Sequence, residues 1–187
     1  MNIWLIRHTK LSGASDVCYG RLDVPLAETF VADADAVKQK LPPTSDSHII
    51  ITSPASRCYK LASTLSSNPV IDDDLSELDF GSWEGKRWDD IPRTELDNWA
   101  NNLATTPPPQ GESLADLQMR VQRAWQRLST LNTTEVFCIS HAGFIRILLA
   151  YLFEIPISRA FSLSLDYGGC SLIEVSDLPP TLRKFNI

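Results

Sequence analysis

Three times along the chain a run of apolar, often β-branched residues stops abruptly on polar side chains. Ile3-Trp4-Leu5-Ile6 runs into Arg7-His8, "HIIIT" (48–52) into Ser53-Pro54-Ala55-Ser56-Arg57, and "EVFCIS" (135–140) into His141-Ala142-Gly143. Short continuous apolar runs read as strands buried on both faces, the habit of parallel sheet. Parallel neighbours need a crossover, and helical stripes lie between these runs. Leu26, Phe30, Ala34, Val37 and Leu41 give one over 26–41, and Leu114, Leu117, Val121, Trp125, Leu128 and Leu131 another. The expected class is α/β: a three-layer sandwich with a mostly parallel central sheet and helices on both faces.

Local signals sharpen the elements. Ser53-Pro54 reads as an N-cap followed by proline in the first helical position, with the helix running to about residue 66. Ser113 and Asp116 have capping-box spacing, and "AGFIRILLAYLF" (142–153) continues the third strand as a helix. "AFSLSL" (160–165) and "CSLIEV" (170–175) read as two further strands turned at Gly168-Gly169. Residues 1–187 read as a single domain, interrupted by an insertion or lid at about 72–112 that carries Trp83, Trp88, Trp99 and Pro107-Pro108-Pro109.

Charge and composition exclude several partners. A net charge of −6 without a basic run argues against nucleic acid. The longest apolar stretch, "ILLAYLF" (147–153), is too short for a bilayer, and the four-residue apolar start ending at Arg7 does not read as a signal peptide, so none is expected. Cys18, Cys58, Cys138 and Cys170 are too scattered for a zinc site and read as reduced core residues. A cytoplasmic location, no metal and no cofactor are expected. The expected partners are a small phosphorylated substrate and, in assembly, a second copy of the chain as a homodimer.

In an open parallel sheet the carboxyl ends of the strands share one edge, where ligands bind. Arg7, His8, Arg57 and His141 should therefore converge on one crevice. Two of the segments also open helices, whose free N–H groups favour an anion. The resulting pocket suits phosphate.

"LIRHT", "SPASRC", "ELDFGSWEG", "PQGES" and "SHAGFIR", in this order and spacing, resemble the motifs of the histidine phosphatase superfamily, the phosphoglycerate mutase-like fold. "CYGRLDVPLAETF" (18–30) is most similar to the α-ribazole-5′-phosphate phosphatase branch, which serves cobalamin nucleotide-loop assembly. The resemblance implies a metal-independent phosphomonoesterase with a phosphohistidine intermediate. It makes His8 the nucleophile, Arg7 and Arg57 phosphate ligands, His141 a catalytic residue contacting the same group, and Glu77 the general acid. A broad-specificity acid phosphatase and a phosphoglycerate mutase-type transferase are the alternative enzymes, and a non-catalytic phosphate-binding regulatory module the alternative of another class.

Tyr19, Gly20, Arg21 and Ala142 are candidate contacts to the rest of the substrate. The asparagine that many relatives carry a few residues after the Arg-His pair is missing, leaving Lys10, Ser12 and Ser15 as stand-ins. Asp79, Glu84 and the Asp72-Asp73-Asp74 run compete with Glu77 on residue type alone, and it is the resemblance, in which the acid stands four residues before the glycine of "FGSWEG", that implies Glu77. His48 reads as structural, and at least two of the three insertion tryptophans as packing residues.

Overall fold

The computed structural model describes residues 1–45 and 47–187. Its centre is one six-stranded sheet in the order β3-β2-β4-β1-β5-β6. These strands are β1 Asn2–Arg7, β2 Ile49–Thr52, β3 Val70–Ile71, β4 Glu135–Ser140, β5 Cys170–Glu174 and β6 Thr181–Lys184. The first four pair in parallel, while β5 runs antiparallel to β1 and β6 antiparallel to β5.

Helices cover both faces, as the alternation of side chains along β1 requires. Ile3 and Leu5 point to one side with Val136 and Cys138, and pack against Leu117, Val121 and Leu128 of α4 (Leu114–Leu128) and Phe144 and Leu148 of α5 (Ala142–Leu152). Trp4 and Ile6 point to the other with Phe137 and Ile139, beneath Ala34 and Val37 of α1 (Phe30–Lys40) and Cys58 and Leu61 of α2 (Ser56–Ala62). The helix over 113–128 starts where expected: the Ser113 hydroxyl accepts from the Asp116 N–H at 3.2 Å, and the Asp116 carboxylate accepts from the Ser113 N–H at 3.0 Å. Such a cap is worth about 1 kcal/mol.

Four sequence expectations need correction. The helix expected over 26–41 begins at Phe30, because Leu26 is drawn into an antiparallel bridge with Leu11. The helix expected from Ser53 to about 66 spans Ser56–Ala62 behind Ala55, because the Ser53 side chain is engaged elsewhere. Residues 160–165 are not a strand: Ile157–Ser162 is a 3₁₀ helix, and Ile157, Ala160 and Leu163 meet the core at its spacing of three. Gly168-Gly169 accordingly ends a loop that feeds β5 alongside β1, rather than turning a hairpin.

The 72–112 insertion is built from short 3₁₀ turns and one helix, α3 (Arg93–Asn101). Buried Trp83 meets Trp99 edge-on, with centroids 5.7 Å apart, and Trp83 joins Cys18 and Ile91 in a small core that pins the insertion to the segment after β1. All four cysteines are buried and unpaired. Among the described residues no helix is long and apolar enough to cross a membrane.

Candidate active site

Register places the site. Because β4 lies between β2 and β1, with Arg7 opposite Ser140 and Thr52 opposite Ile139, the next residues along (His8, His141 and Ser53) emerge side by side. The His8 and His141 rings meet edge-on with centroids 5.2 Å apart, about one inter-strand spacing. The sequence-selected Arg7, His8, Arg57 and His141 thus share one sheet edge.

Hydrogen bonds set each imidazole's tautomer. His8 Nδ1 faces the Thr9 carbonyl at 2.9 Å, and a carbonyl only accepts, so Nδ1 carries the proton. Nε2 then holds the free lone pair; it has no protein partner among the described residues and is not one of the sealed, unpartnered atoms. His141 is the mirror case. The Arg57 Nε–H donates to His141 Nδ1 at 3.3 Å, so Nε2 bears the proton and donates to Ser53 Oγ at 2.8 Å.

Both rings are held neutral. Burial above all, and then the Arg57 charge, push His8 down to about 3; the Thr9 carbonyl pulls the other way, and Arg7 adds the smallest push. Burial, His8 and Arg57 push His141 well below the usual histidine range. A histidine with a lowered pKa takes up its proton more readily when unfolded, so stability falls as pH drops from about 6.5 towards about 3. The melting temperature is expected to decline through pH 6 and 5, and less steeply in a His8→Asn variant. Equal slopes in both proteins would contradict the assignment.

Arg57 is fully buried and gripped by the protein, with Nη1 donating to the Leu22 carbonyl at 2.8 Å and Nη2 to that of Gly20 at 2.6 Å. Gly20 therefore braces a cation, and it must be glycine: a Cβ there would sit 2.1 Å from the Leu78 carbonyl oxygen. Arg7 donates from Nη1 to the Leu165 carbonyl at 2.6 Å, while its Nε is buried without a partner.

Two cavities adjoin this edge. One of about 300 Å³ is lined by Ser53, Arg57, His141 and Arg21. The other, of about 460 Å³, is lined by Arg7, Tyr19, Gly20, Phe80, Trp88, Ala142 and Tyr167. Glu77 borders both. Its Oε2 accepts from the Gly143 N–H at the start of α5, at 3.1 Å, and its Oε1 from the Leu78 N–H at 2.9 Å. Buried Arg120 of α4 donates to the carbonyls of Ser76 at 2.8 Å and Glu77 at 3.2 Å, fixing that segment from behind. The rival Glu84 is fully used in structure, accepting from the backbone N–H groups of Arg21, Leu22 and Phe80.

A Cβ on Gly143 would lie 2.1 Å from Glu77 Oε1. Gly143→Ala is therefore expected to fold normally, since a carboxylate tip can swing away. Displacing it by about 1 Å should cost about 100-fold in turnover of an alkyl phosphate, read as kcat. Near-wild-type turnover would show that the carboxylate's position is unimportant.

The remaining candidates divide. Arg21 is tied to Asp79 at 3.4 Å and Glu112 at 3.6 Å. Of the asparagine stand-ins, Ser15 lines the larger cavity, Lys10 is exposed, and the Ser12 N–H donates to the Pro25 carbonyl. His48 stays outside the site, its ring against Phe137. Sequence reasoning missed Ser53 as the His141 partner, Arg120, Tyr167, and Arg146 on the cavity wall. Arg146 was in view, inside "SHAGFIR" and one helical turn beyond Ala142.

Comparison with known proteins accords with this geometry. Residues 3–187 match the family model described as the histidine phosphatase superfamily (branch 1). An adenosylcobalamin/α-ribazole phosphatase of Escherichia coli strain K12 is 28% identical over 195 residues, covering 100% of this chain and 96% of that protein. The crystal structure of an α-ribazole phosphatase from Shigella flexneri superposes with a TM-score of 0.90 at 26% identity, covering 100% of this chain and 96% of that one. A phosphoserine phosphatase from Entamoeba histolytica shares the fold alone, with a TM-score of 0.85 at 20% identity over 99% of this chain and 96% of its own. The chain belongs to the histidine phosphatase superfamily, branch 1, and with that membership goes phosphatase activity.

Proposed function

We propose that the chain hydrolyses phosphomonoesters without a metal, through a phosphohistidine formed on His8. The observation that carries this reading is the His8 tautomer: Nδ1–H is fixed on the Thr9 carbonyl, and a neutral Nε2 lone pair is left free beside Arg57 and His141. His8 Nε2 attacks phosphorus in line as the ester oxygen leaves. The Glu77 carboxyl gives that oxygen its proton, so the departing group is an alcohol rather than an alkoxide. The phosphorylated ring gains positive charge, and the Nδ1–H···O=C bond to Thr9 strengthens to meet it. Water then attacks phosphorus and loses its proton to the Glu77 carboxylate, the P–N bond breaks, and neutral His8 returns.

Charge neutralisation falls to Arg7, most of whose fork is unspent, and to Arg57, which keeps one N–H on each of Nη1 and Nη2 beyond its bonds to the protein. His141 is neutral: its Nδ1 accepts from the Arg57 Nε–H and its single N–H, on Nε2, donates to Ser53 Oγ, so it would reach the same oxygens only by giving up Ser53 for the substrate. The start of α5 adds the positive end of a helix dipole.

For the substrate, α-ribazole 5′-phosphate is the favoured choice. Relatives of that name support it, as does a cavity walled by Tyr19, Phe80, Trp88 and Tyr167, which suits a flat aromatic base. The test is a substrate panel run in excess chelator: nitrophenyl phosphate, α-ribazole 5′-phosphate, phosphoserine and 3-phosphoglycerate. Full activity with chelator and the highest kcat/KM on α-ribazole 5′-phosphate are expected. Loss of all turnover in chelator would overturn the metal-free reaction, and a higher kcat/KM on another ester would overturn the substrate.

A further inference from the structure

The two arginines are held in different ways. Arg57 gives all three of its nitrogens to protein acceptors. Arg7 gives one, to the Leu165 carbonyl, and is otherwise gripped by its face: its Cζ lies 3.7 Å from the centre of the Tyr167 ring. Such stacking orients a guanidinium without consuming its N–H edges, the edges that phosphoryl oxygens need. Without it, a long side chain with one hydrogen bond would have to be ordered at each binding event.

Tyr167 is itself pinned. Its hydroxyl pairs with that of Tyr19 at 2.8 Å across the larger cavity, joining the loop after β1 to the loop before β5. The backbone beside it is anchored to the end of β1: the Arg7 N–H donates to the Gly169 carbonyl and the Gly168 N–H to the His8 carbonyl, both at 3.1 Å. The Asn186 side chain near the C-terminus holds the same loop, accepting from the Asp166 N–H at 2.8 Å. The Tyr167 ring also lies 5.5 Å from the His8 ring. The loop thus carries one aromatic face, set against both halves of the Arg-His pair.

We propose that Tyr167 is a positioning residue for Arg7, its ring fixing the guanidinium plane and the Tyr19 hydroxyl locking the ring, so that the phosphoryl group meets a preorganised cation. This rests on the phosphomonoesterase reading above but not on the choice of alcohol. It also gives Tyr19 a task other than touching substrate.

Three variants test it, all in the full-length protein with nitrophenyl phosphate as substrate and orthovanadate as competitive inhibitor. Tyr167→Leu removes the face and is expected to lower kcat/KM about 10-fold, the kinetic equivalent of one partly desolvated cation–π contact. The orthovanadate inhibition constant should rise by a similar factor. Tyr167→Phe keeps the face and should recover most of that loss. Tyr19→Phe removes the same hydrogen bond from the other side, so its small loss should not add to that of Tyr167→Phe in the double variant.

Tyr167→Leu with wild-type kcat/KM and vanadate affinity would overturn the proposal. If Tyr167→Leu proves unfolded, the pair of phenylalanine variants decides: additive losses overturn the lock and non-additive losses support it. An inactive wild-type protein would instead indict the phosphatase reading, so the two failures are distinguishable.

Discussion

His8→Ala is expected to lower phosphomonoester turnover by about 10,000-fold or more, because no other side chain at the sheet edge can take its place as nucleophile. Ser53 and Thr9 carry hydroxyls nearby, but Ser53 Oγ is held by the His141 Nε2–H and Thr9 Oγ1 is sealed from solvent without a partner. Cys58 is buried, and burial pushes its thiol up, away from the reactive thiolate. The alanine variant loses a buried ring and some stability with it, so its melting temperature must be recorded beside its rate. A folded variant keeping a tenth of wild-type activity would remove His8 from the chemistry.

Glu77→Gln is expected to split substrates by leaving group. The amide oxygen can still accept from the Gly143 N–H, so the loop should keep its place and only the transferable proton is lost. Alkyl phosphates, whose alkoxides need that proton, should slow by about 100- to 10,000-fold. Nitrophenyl phosphate, with a stable phenolate, should slow far less in the first step. Equal losses on the two esters would assign Glu77 to binding rather than to proton transfer. A matching loss in Glu84→Gln would reopen the choice of acid, although Glu84 spends both oxygens on three backbone N–H groups.

What the sequence disclosed, and what it concealed, follows from how far each signal reaches. The strand ends were legible because a buried strand that stops on Arg-His or Ser-His states both its burial and its exit. Parallel register then brings those exits together. The Ser113 capping box was legible because both partners lie three residues apart.

The period-two alternation of Ala160 to Leu165 misled, because Ile157, Ala160 and Leu163 also satisfy a period of three, and helix α5 rather than a strand lies beneath them. β6 escaped notice because it is exposed along its length, an edge strand with no apolar face. Ser53 looked like a helix cap because the Ser-Pro pair carries that signal, whereas its use depends on His141, 88 residues away. Tyr167 and Arg120 were invisible for the same reason: each matters through a partner that only the fold supplies.

The covalent intermediate offers the most direct test. The enzyme would be mixed with a phosphomonoester carrying radiolabelled phosphate, quenched in alkali within milliseconds, digested, and its peptides mapped. The account predicts label on the peptide holding His8, stable to base and lost in acid, and no label in His8→Ala. Label on Ser53 or on His141, or a fully active enzyme that never carries label, would contradict it.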